Sequence, residues 1–70
     1  MGMATKIRIL LIERKMKIKE LAEQLGYSGG NLGNKLGADN FSEKELIKIA
    51  EILGCDYQAT FIMRDTGKEI

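Results

Sequence analysis

The sequence predicts a mainly α fold: four short helices followed by a short C-terminal β-strand or hairpin. Three observations carry that expectation. Apolar residues recur at i, i+3, i+4 and i+7 in successive segments as far as Leu53, the period of a helix with one buried face. Glycine stands where two of those segments should stop, at Gly26 and Gly54. After Gly54 the apolar period shortens to two, which is the period of a strand.

The first helix is expected over residues 5–15, with Thr5 as its cap. Ile7, Leu10, Leu11 and the stem of Arg14 form one stripe. A second, over 17–25, carries Ile18, Leu21, Ala22 and Leu25 and stops at Gly26. The third, over 29–36, has Ser28 as N-cap, with Leu32 and Leu36 one turn apart. The fourth, over 43–53, has the clearest start in the chain. Ser42 with Glu45 three residues on is a capping box, and Phe41 with Leu46 is the accompanying hydrophobic staple. Leu46, Ile49, Ala50 and Leu53 form its inner face, and Ile47 widens that face. In the strand expected over 57–63, Tyr57, Ala59, Phe61 and Met63 alternate with Gln58, Thr60, Ile62 and Arg64. Asp65-Thr66-Gly67 is a turn signal, leaving a short return arm over 68–70.

Seventy residues make one small domain, spanning 1–70, and a chain this short buries only about 60% of its unfolded surface. No stretch approaches the roughly 18 apolar residues of a membrane span. Met1-Gly2 opens like a myristoylation signal, but Lys6 stands where that signal needs Ser or Thr; Met1–Met3 reads as a ragged start or a cloning remnant. With no histidine and a single cysteine, Cys55, the chain lacks the ligands of a metal site and every His-dependent nucleophile. No cofactor and no catalytic residue is expected. The lone cysteine fits a reducing cytoplasm, either as a small buried apolar group or as a reactive thiol. Glu43 and Glu45 are helix-start residues favoured by the dipole rather than an acid–base pair. The glycines of 29–33 lack the lysine and spacing of a phosphate loop.

Charge is divided along the chain. Residues 1–35 hold seven basic side chains against three acidic, a net +4, and residues 36–70 hold four against seven, a net −3. A basic half beside an acidic half fits a surface that meets a polyanion and another kept off it. The basic half contains Lys17–Leu36, two short helices joined by a tight turn opening on glycine. That is the pattern of a helix-turn-helix unit, whose second helix lies in the DNA major groove.

The blocks Leu21-Ala22-Glu23-Gln24-Leu25-Gly26-Tyr27-Ser28, Leu32 and Glu45–Gly54 resemble the phage-repressor (Xre/Cro-like) helix-turn-helix family. Asn31–Leu36 and Asp39–Leu46 are most similar to its small single-domain members. The resemblance covers about residues 5–54 and implies a four-helix, lambda-repressor-like, usually dimeric DNA-binding domain acting as a transcriptional regulator. Positions that read bases or phosphates in the family correspond here to Ser28, Gly29, Gly30, Asn31, Asn34 and the adjacent Lys35. Asn pairs bidentately with adenine, and Lys reaches guanine or phosphate. Lys17 and Lys19 are candidate phosphate contacts at the start of the second helix. Each of these side chains has an alternative as local cap or solvated surface.

The sequence departs from the family at Gly29, Gly30 and Gly33, where longer polar or basic side chains are common, and at Ile18, where a polar residue is usual. Three glycines cost the third helix about 3 kcal/mol relative to alanine, so it depends on Leu32 and Leu36. They leave readout to shape and phosphates, or they mark a scaffold that binds a protein partner instead, as an antitoxin does. The expected function is therefore sequence-specific binding of double-stranded DNA as a homodimer; the alternative is a protein-interaction module. Tyr57, Ala59, Phe61 and Met63 are the expected dimer interface, pairing with a second copy's strand, or else the segment folds back as an internal hairpin.

Overall fold

A computed structural model describes residues 2–70; the reading of Met1 lies outside them. Four helices follow in order: α1 (Met3–Glu13), α2 (Ile18–Leu25), α3 (Gly29–Ala38) and α4 (Glu43–Ile52). One apolar cluster joins them: Ile7 and Leu11 from α1, Leu21, Ala22 and Leu25 from α2, Leu32 and Leu36 from α3, and Leu46 and Ile49 from α4, with Leu53 beyond it. Ala4 belongs to it too, because α1 begins earlier than the sequence predicts.

Thr5 does not cap α1. The N-cap is Gly2, which offers no side-chain acceptor, and the cap comes from far away in sequence. The Asp39 carboxylate accepts the Ala4 N–H at 2.8 Å and places negative charge at the positive end of α1. Asp39 is also the residue that ends α3, in the left-handed conformation (φ 52) that Asp tolerates better than most residues. It ties the start of α1 to the end of α3, and a Cβ at Gly2 would overlap its carboxylate.

The other ends follow local chemistry. In α2 the Glu20 side chain accepts the Lys17 N–H at 3.0 Å; lysine has no acceptor to complete the box. Gly26 at φ 80 closes α2, and the Tyr27 N–H reaches back to the Ala22 carbonyl at 2.8 Å. In α4 both halves of the box form: Ser42 Oγ accepts the Glu45 N–H at 3.2 Å, and Glu45 accepts the Ser42 N–H at 3.0 Å. Phe41 packs on the cluster to which Leu46 belongs, whereas Ile47 lies exposed and does not widen the inner face. Arg14 leaves the α1 stripe: its Nε donates to the Leu53 carbonyl at 2.8 Å, satisfying a carbonyl at the end of α4.

The expected strand does not form. Among the described residues there is no strand, only one antiparallel bridge between Ile62 and Glu69. The Phe61 N–H donates to the Ile70 carbonyl at 3.1 Å, the Met63 N–H to Lys68 at 2.9 Å, and the Gly67 N–H closes the turn on Met63 at 2.7 Å. The turn at Asp65-Thr66-Gly67 therefore exists, with Gly67 at φ 74, but residues 57–60 have no partner to pair with. The alternation is not one buried face either. Tyr57 is half-buried against the cluster, but every residue from Gln58 to Ile70 is exposed, Phe61 at 82%. The period of two has no buried surface beneath it. The projecting ribbon fits a radius of gyration of 13.8 Å, against about 11 Å for a compact chain of this length.

Candidate nucleic-acid interface

The interface is built from α2, the turn Gly26–Ser28 and α3. Leu21 and Ala22 of α2 and Leu32 of α3 have no exposed surface, which holds the two helices as one unit. A fixed unit matters because α3 is intrinsically weak. Glycine occupies residues 29, 30, 33 and 37 of its ten, each about 1 kcal/mol worse than alanine in a helix interior. None of the four has a positive φ, and a Cβ at any of them would meet nothing within 4 Å. Neither backbone conformation nor close packing inside the chain calls for glycine there.

Ser28 starts α3 as expected of an N-cap, its Oγ accepting the Asn31 N–H at 3.1 Å. Serine thus orients the helix start, and its hydroxyl is engaged locally. Gly29, Gly30, Asn31, Gly33 and Asn34 are all exposed and form the outward side of α3, opposite Leu32 and Leu36. Asn31 and Asn34 are three residues apart, hence neighbours on one face. Lys17 and Lys19 are exposed at the start of α2.

Lys35 differs from the rest. Its ammonium lies 3.1 Å from Glu45 of α4 and 5.8 Å from the centre of the Tyr27 ring. The Tyr27 hydroxyl donates to the same carboxylate at 2.7 Å. The Ser42 backbone N–H, then the Tyr27 hydroxyl, then Lys35 lower the Glu45 carboxyl from 4.5 to about 2. The hydrogen bond to Glu45 in turn raises the Tyr27 hydroxyl above its ordinary value. Sequence reasoning found Glu45 only as a helix start and missed Tyr27 altogether. A tyrosine and a lysine eight residues apart and an acid ten further on carry no periodic signal.

The segment carrying Tyr57, Ala59, Phe61 and Met63 leaves the body beside α1 and α4, with Tyr57 against the body and the other three exposed. Among the described residues, no helix is long and apolar enough to cross a membrane. Nor does any group of three or more His, Cys, Asp or Glu stand where it could hold a metal ion.

Among curated proteins and among solved structures, none matches the chain. A family model described as the Cro/C1-type HTH DNA-binding domain matches residues 6–58, from the first turn of α1 through Tyr57 to Gln58. With the helix pair, the glycine turn and the Ser28-capped third helix in place, the chain belongs to the Cro/C1-type helix-turn-helix DNA-binding domains.

Proposed function

We propose that the protein reads double-stranded DNA in a sequence-dependent way, as a homodimeric transcriptional regulator with α3 in the major groove. The observation that carries this reading is the outward side of α3: polar, unobstructed and fixed from behind by Leu32 and Leu36. Asn31 and Asn34 are the side chains offered to base edges, while Ser28, Gly29 and Gly30 let the helix start approach a phosphate closely. Lys17 and Lys19 neutralise backbone phosphates. With so few long side chains on α3, specificity leans on groove shape and backbone contact more than on direct readout.

Dimerisation is supported by the ribbon. Phe61 and Met63 direct their N–H groups toward the return arm, so Ile62 and its alternating neighbours present theirs on the open edge. An exposed edge carrying Phe61, Ile62 and Met63 favours pairing with a second copy. Two copies then read half-sites about one helical turn apart.

The test is fluorescence anisotropy on duplexes selected from a random pool, repeated across salt concentrations. Affinity should fall steeply, with a slope of about 0.9 for each phosphate neutralised, and Lys17→Met should remove about one such unit. The second reading, a scaffold that binds a protein partner, is favoured by the side-chain-poor α3 and the apolar ribbon. It predicts a partner retained at high salt and no retention of duplex at low salt.

A further inference from the structure

A helix with four glycines in ten residues has little stiffness of its own, yet the reading above needs it stiff. Leu32 and Leu36 hold only its inner side. One carboxylate grips α3 at Lys35 and grips the turn before it at Tyr27. Glu45, fixed at the first turn of α4 by its bonds to Ser42, takes the Tyr27 hydroxyl at 2.7 Å from the turn preceding α3. It takes the Lys35 ammonium at 3.1 Å from the last turn of α3. Tyr27 and Lys35 also face each other, ammonium over ring. With side chains only 28% and 17% exposed, Lys35 and Glu45 form a partly desolvated pair, stronger than an open surface ion pair.

We propose that Glu45 is a positioning residue for the DNA-reading helix, holding Tyr27 and Lys35 so that Lys35 braces α3 against α4 and is withheld from DNA phosphate. The inference rests on the DNA-binding reading but concerns a separate property. If Lys35 were a phosphate ligand, neutralising it would flatten the salt dependence of binding. If it is a brace, neutralising it disturbs the pose of α3 and weakens binding equally at all salt concentrations.

The experiment measures duplex affinity against salt for the wild type, Lys35→Met, Lys35→Arg, Glu45→Gln, Tyr27→Phe and the double variant Lys35→Met/Glu45→Gln. Circular dichroism sets a temperature at which each is folded. Lys35→Met should lower affinity by about tenfold or less along a parallel line, and Lys35→Arg, which keeps the pair, should restore it. The double variant should bind no worse than the weaker single one. A slope reduced by about 0.9 in Lys35→Met, or an unchanged affinity, overturns the proposal. Should Lys35→Met fail to fold, Tyr27→Phe, which alters no charge and removes one hold on Glu45, tests the brace: a lowered affinity upholds it and an unchanged affinity overturns it.

If the wild type retains no duplex even at low salt, the reading of function fails by itself, and the clasp is judged by NMR titration of the Glu45 carboxyl. A midpoint near 2 in the wild type that rises in Lys35→Met upholds the clasp. A midpoint that does not move in Lys35→Met or in Tyr27→Phe overturns it, since the Ser42 N–H lowers this carboxyl without either of them.

Discussion

Replacing Gly33 by alanine should stabilise the protein, and the size of the gain follows from the structure. Gly33 lies in the interior of α3, has no positive φ, and its absent Cβ would meet nothing within 4 Å. No packing is gained or lost, so the change reduces to helix propensity, about 0.8–1.0 kcal/mol in favour of alanine. Part of that is entropy removed from the unfolded chain. For 70 residues the unfolding entropy is about 0.15 kcal/mol per degree, so Tm should rise by about 6 °C. The assay is thermal denaturation by circular dichroism at fixed protein concentration, since any self-association makes Tm concentration-dependent. Gly26→Ala is the control of opposite sign: at φ 80 a Cβ costs about 1–2 kcal/mol. Duplex affinity of Gly33→Ala should fall while stability rises, because on the proposed reading the added methyl would stand between α3 and the groove. An unchanged or lowered Tm for Gly33→Ala would mean that α3 is either unformed or covered at that point.

Asp39→Ala should lower stability by about 1 kcal/mol, through the lost cap on α1, although the two residues it joins are 35 positions apart; urea denaturation measures it. Acid should destabilise the protein in a defined window. The Glu45 carboxyl is depressed in the folded state, so its contribution is complete above pH 4.5 and is lost as pH falls toward about 2. That loss is on the order of 2 kcal/mol, and melting curves of wild type and Glu45→Gln should converge in that range. Phe61→Ser should abolish self-association in sedimentation velocity while leaving the far-ultraviolet spectrum unchanged, because Phe61 makes no core contact; persistent dimers would point to another surface.

How far the sequence discloses this molecule depends on whether a feature is local. Gly26, Ser28 and the Ser42–Glu45 box act within three or four residues, and the period of Leu21, Ala22 and Leu25 identifies their buried face without any partner. The start of α1 was not legible in the same way. Its cap comes from Asp39, so a search for a nearby Ser or Thr settles on Thr5, which lies inside the helix. The clasp on Glu45 is hidden for the same reason, since three segments meet there only after folding. For residues 57–63, alternation predicts a strand but cannot supply a surface to cover it, and only Tyr57 finds one. The glycines of α3 are plain in the sequence. That they are open on the outside, with no internal use, depends on how α3 packs in the folded chain.

Whether the outward side of α3 is the proposed DNA-reading surface is read out by titrating labelled protein with a selected duplex and following each backbone amide by NMR. The largest shifts should fall on Ser28–Asn34, with smaller ones at Lys17 and Lys19. Saturating shifts confined to the ribbon, or a third helix whose amides stay unmoved while the complex forms, would contradict that reading.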